Sequence, residues 1–112
     1  MRPRPVIPRE QALRDIDEAL AYHLAEATAT KASGFIDALA RAWAHVARYP
    51  ATGAARYAHE LNLPGVRCRR LKRHPFVVFY VAHDTHIDVW RLLHGKRDIP
   101  ARLQEDIPND RA

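Results

Sequence analysis

Residues 76–100 read FVVFYVAHDTHIDVWRLLHGKRDIP, and their pattern decides the fold class. Phe76–Ala82 is apolar throughout, as suits a strand covered on both faces. His83-Asp84-Thr85-His86 is a short polar turn, and Ile87–Leu93 is a second strand, so the two form a hairpin. The second strand runs into a dense cluster of Arg91, His94, Lys96, Arg97 and Asp98. A rigid hairpin thus delivers charged side chains to one place, a common way to build a site. By alternation Arg91 shares a face with Ile87, Val89 and Leu93, so it needs a partner or must emerge at the sheet edge. Asp88, Trp90, Leu92 and His94 point the other way.

Upstream, Pro64-Gly65 marks a turn and Val66–Leu71 a further strand, with Val66 and Cys68 on its inward face and Arg67 and Arg69 outward. Residues 54–64 give no clear pattern. Before them lie two helical stripes. Leu13, Ile16, Leu20, Leu24 and Ala27 recur at helical spacing, with Arg14, Asp17 and Glu18 opposite. A second stripe of Ala32, Phe35, Ile36, Leu39, Trp43, Val46 and Ala47 ends at Tyr49-Pro50, because a helix rarely continues into the residue before proline. Gly34, inside the second stripe, costs about 1 kcal/mol relative to alanine, and close approach of the first helix is the expected compensation. Either Thr28 or Thr30 suits a cap between the helices. Pro3, Pro5 and Pro8 restrict Val6-Ile7 to an edge strand. Residues 99–107 suit a short final helix with Pro100 in its first turn.

Helices first and strands after predict an α+β fold: an αα-hairpin packed on one face of a small antiparallel sheet, closed by a short C-terminal helix. The 112 residues form one domain, residues 1–112, able to bury about 65% of its unfolded surface. Hydrophobic residues at 47% and charged residues at 28% are those of a globular protein. No apolar run approaches the ~20 residues of a membrane span, and MRPRPVIPRE lacks the apolar segment of a secretory signal. One cysteine excludes an intrachain disulfide, and the cytoplasm is the expected compartment.

The net charge is +5, and Arg67, Arg69, Arg70, Lys72 and Arg73 follow one another with no acid between them. Such a run suits a polyanion or an acidic protein partner, and equally a solvated strand and turn. Ser33, the single serine, lies mid-helix and far from a nucleophile elbow. Cys68, between arginines, reads as a buried inert thiol. His83 and His86 bracket a turn, but no third ligand has recognisable spacing, so no metal is expected. No glycine-rich phosphate loop exists and no cofactor is expected. Arg97-Asp98 suits a local ion pair.

The Tyr49–Gly53 turn, Arg56-Tyr57, Gly65-Val66-Arg67, the Pro75–Tyr80 strand and above all Ile87–Ile99 resemble the RelE/ParE toxin superfamily, the ParE branch most closely. The resemblance implies the toxin of a type II toxin–antitoxin system, of the kind tied to plasmid stabilization. It implies a cognate ParD-like antitoxin as partner, DNA gyrase as target, and contact with operator DNA only through the antitoxin. ParE-like toxins carry no hydrolytic chemistry, whereas the RelE branch cleaves mRNA on the ribosome. On the ParE reading, Arg91, His94, Lys96 and Arg97 would face the target, and Arg67, Arg69, Arg70, Phe76 and Trp90 the antitoxin. On the alternative, nuclease reading, Arg91, His94, Arg97 and Tyr80 would carry catalysis. The tail after Asp98 holds no Tyr or His, which weakens that alternative.

Overall fold

A computed structural model describes residues 3–26, 29–95 and 99–104. The chain runs β1 (Val6–Pro8), α1 (Glu10–Glu26), α2 (Ala29–Arg48), a 3-10 turn (Pro50–Thr52), α3 (Arg56–Glu60), β2 (Val66–Arg70), β3 (Phe76–Ala82), β4 (Ile87–His94) and α4 (Ile99–Gln104). It is an α+β fold, with a helix pair followed by a four-stranded sheet. The sheet order is β1-β4-β3-β2. β2, β3 and β4 form an antiparallel meander. β1 adds to the β4 edge in parallel, Val6 beside Ile87 and Pro8 beside Val89. Its prolines are tolerated there because an edge strand need not donate every N–H. None of the described helices is long and apolar enough to cross a membrane.

The sheet is covered on both sides. Val78, Tyr80, Ile87, Val89 and Leu92 pack under Ala12, Ala19, Phe35, Ala38, Ala42 and Val46 of the helix pair. On the other face Phe79 and Leu93 meet Leu63, Val66 and α4 through Ile99 and Leu103. This second cover explains why β3 is apolar on both faces. It also occupies the face that the sequence left open.

Three expectations change. The predicted stripe of α1 is only half buried: Ile16 and Leu20 pack against the core, but Leu13 and Leu24 are 48% and 57% exposed, while Ala12, Asp15, Ala19 and His23 are buried. Alanine lets a helix approach a sheet closely, so the small residues take the inner face. Gly34 has nothing within 4 Å of where a Cβ would stand, so no close approach of α1 accounts for it.

The third change sets up the site. Tyr80 pairs with Val89 but Phe79 pairs with Arg91, so Trp90 is an extra residue in β4. A bulge of this kind shifts side-chain alternation by one position. Beyond it Leu92, not Arg91, continues the face of Ile87 and Val89.

Candidate functional site

β1 covers only the first half of β4. The last backbone bond along that edge is from the Arg9 N–H to the Val89 carbonyl, 2.9 Å. One step further the Leu92 N–H donates to the Asp15 carboxylate of α1 at 3.1 Å. Asp15 is itself gripped by Arg91, whose Nε and Nη2 donate to its two oxygens at 2.7 and 3.0 Å. Arg91 Nη1 also donates to the Arg102 carbonyl of α4 at 3.2 Å. Both side chains of the ion pair are 6% exposed. A fork-on-fork pair of this geometry satisfies two buried charges together. The bulge at Trp90 turns Arg91 so that its guanidinium ties the sheet edge, α1 and α4 into one joint.

Above this joint a groove of about 410 Å³ runs between the flank of α1 and the end of β4. Tyr22, His23, Phe76 and His94 form aromatic parts of its wall, and Glu18 adds a carboxylate. His94 meets Phe76 edge-on at 5.4 Å. His23 stacks on Phe35 at 4.8 Å, and its Nδ1 donates to the Ala19 carbonyl at 2.7 Å. The Arg70 guanidinium lies near Gly95, just beyond the end of β4.

The structure brings Arg91, His94 and Phe76 to this groove. Tyr80 is elsewhere, on the helix-covered face and fully buried. Its hydroxyl accepts the Gly53 N–H at 3.1 Å and donates to the Pro50 carbonyl at 2.8 Å. Burial pushes this phenol above the usual tyrosine value, against the opposing pull of the Gly53 N–H, Arg67 and Arg69. It is thus a protonated clamp on the Pro50–Gly53 turn. Trp90 is also apart from the groove: it lies under the Arg9 guanidinium at 4.5 Å and donates to Asp88 at 3.1 Å. Arg9 and Asp88 close that cluster with a two-pronged ion pair. Lys96, Arg97 and Asp98 lie outside the described residues.

The basic run does not form one patch. Arg67 folds back to donate to the Gly53 carbonyl at 2.8 Å, Arg69 is half-buried and Arg70 is exposed. Cys68 is half-buried, and burial raises its pKa against the opposing charge of Arg56. His83 and His86 stack at 4.7 Å. No group of three metal-binding side chains occurs among the described residues. Asp15, Arg91's partner 76 positions away, was missed by sequence reasoning; the one available signal was an acid on the alanine face of α1.

Residues 6–99 match the family model for the ParE toxin of the type II toxin–antitoxin system, parDE. The chain belongs to the ParE toxin family. The fold agrees with a solved structure of the chromosomal ParDE toxin–antitoxin system from P. aeruginosa, at a TM-score of 0.67 and 20% identity, covering 81% of this chain and 95% of that one. No curated protein matches the chain. ParE membership places the groove and its buried ion pair in a fold that a toxin–antitoxin system uses.

Proposed function

We propose that this ParE-family toxin acts in the cytoplasm by binding DNA gyrase, without hydrolytic chemistry of its own, and that a ParD-like antitoxin neutralises it. The carrying observation is that two side chains a nuclease would need are already committed. Arg91 is held by Asp15 and by the Arg102 carbonyl. Tyr80 is buried with its hydroxyl bonded on both sides. A general acid or base must reach the proton it moves, and Tyr80 is not placed to do so, while Arg91 has its donors engaged and could not stabilise a phosphate without giving them up. His94, in the groove wall, is the group left to a nuclease, and surface complementarity is the means of action this reading favours. The groove beside β4 supports the antitoxin half of the reading, since its aromatic walls suit an apolar anchor. In this reading the antitoxin carries the sequence-reading contacts to operator DNA.

The experiment compares two reactions with the purified chain. Inhibition of gyrase supercoiling, relieved by the antitoxin, with intact mRNA in a translation extract, is the expected outcome. Cleaved mRNA with normal supercoiling would replace this reading with the ribosome-dependent nuclease and send attention to His94.

A further inference from the structure

The basic run divides at the β2–β3 turn, and its last two members have no part in the site above. Lys72 and Arg73 turn towards α2, where they line a pocket of about 230 Å³ with Arg41, Gly34, His74 and Asp37. All three cations are exposed, and none has an ion-pair partner among the described residues. Asp37 is the one carboxylate in the lining, so the pocket keeps an excess of positive charge. Arg73 holds φ at +66°, a region that arginine adopts rarely and that clusters where a turn is fixed for function. Gly34 leaves the floor open, with nothing within 4 Å of a Cβ placed there. The cations come from two elements, α2 and the turn, so a concave site exists rather than a solvated charge run.

We infer that Arg41, Lys72 and Arg73 form a phosphate-binding site for the backbone of duplex DNA. The toxin itself would then add sequence-independent contacts to DNA, beyond those an antitoxin makes. Several features favour nucleic acid over an acidic protein. The three cations come from two elements around one pocket, spread so that each takes its own phosphate along a strand, and the lining offers no apolar side chain larger than Ala38. The net charge of +5 adds long-range attraction to a polyanion. This inference stands on the pocket and not on the choice of gyrase as target.

The test is fluorescence anisotropy of a labelled duplex of arbitrary sequence, titrated with the purified full chain from 50 to 200 mM salt. Three phosphate contacts give a slope of about −2.7 in log affinity against log salt, a loss of about 40-fold over that range. Lys72→Gln with Arg73→Asn is the informative variant, because asparagine tolerates the left-handed backbone at position 73. Its slope is expected to be shallower by about 1.8, since each lost contact removes about 0.9. Arg48→Gln removes an exposed charge elsewhere on α2 and is expected to leave the slope unchanged. The proposal falls if the double variant keeps the full slope, or if Arg48→Gln reduces it as much. It also falls if polyglutamate displaces the duplex at equal charge, which would reassign the pocket to a protein.

Discussion

Asp15→Ala tests the account of the β4 edge most directly. The substitution leaves the Arg91 guanidinium, from a residue 5% exposed, without both carboxylate bonds. The Leu92 N–H loses its acceptor as well. Deleting one partner of a buried ion pair costs about 3–5 kcal/mol, and an orphaned backbone N–H adds about 1 kcal/mol or more. Set against a total of about 5–15 kcal/mol for a small domain, the loss is about a quarter to all of the stability. In urea, with a slope near 2 kcal/mol/M, the midpoint is expected to fall by about 2–3 M with the slope unchanged. The double variant Asp15→Leu/Arg91→Met removes both charges and keeps apolar volume. It is expected to recover at least half of the single variant's loss, because no charge is left unpaired. A double-mutant cycle followed by circular dichroism measures the coupling, expected at about 2–3 kcal/mol. A cost below about 1 kcal/mol for Asp15→Ala, or additive single losses, would refute the idea that a dry, mutually dependent pair closes this edge.

Two glycines are expected to respond in opposite directions to alanine. Gly34→Ala meets empty space in a helix interior and should stabilise by about 0.5–1 kcal/mol. Gly53→Ala has ordinary backbone angles but drives its Cβ into the Tyr80 hydroxyl; thermal melts should show a loss of about 1–3 kcal/mol. Tyr80→Phe strands the Gly53 N–H and the Pro50 carbonyl and is expected to cost about 1–3 kcal/mol. Toxicity at a permissive temperature should persist, and a folded but inactive variant would return Tyr80 to the list of chemical groups. His74 has its pKa lowered by burial first and by His23 second, with a backbone hydrogen bond at Gly34 opposing. The folded state therefore binds the proton less readily than the unfolded state. Its contribution is complete above the ordinary value of 6.5 and is lost as pH falls through the lowered one. Melting temperatures at pH 7.5 and 5.5 should differ less in His74→Asn than in the parent, and equal differences would count against this assignment.

Much of the fold is legible in the sequence because it rests on local signals. Proline placement ends α2 at Arg48 and keeps β1 at the edge. The doubly apolar run of β3 implies two covered faces. The inner face of α1 was only partly legible: Ile16 and Leu20 do pack on the core, but leucines dominate a hydrophobic pattern while Ala12 and Ala19 do the close packing. The Trp90 bulge was not legible either: nothing local marks the extra residue, yet it decides which way Arg91 and Leu92 point. The candidate site was half legible. His94, Phe76 and Arg91 do gather at the groove, but the acid that neutralises Arg91 comes from the other end of the chain. Long-range electrostatic partners leave no periodic trace, and the continuous basic run hid a change of direction at Leu71, which is buried.

The pairing of β1 with β4 also sets an order in time. Synthesis delivers Val6 and Asp15 early and Ile87–His94 late. Until β4 has left the ribosome, β1 has no strand to join and Asp15 has no arginine to hold. The α1–α2 hairpin can form from its own neighbours, but contacts across such separations are slow and come last. A copy whose translation stops before Ile87 therefore lacks the groove altogether, and the competent shape appears only once β4 has been made and released.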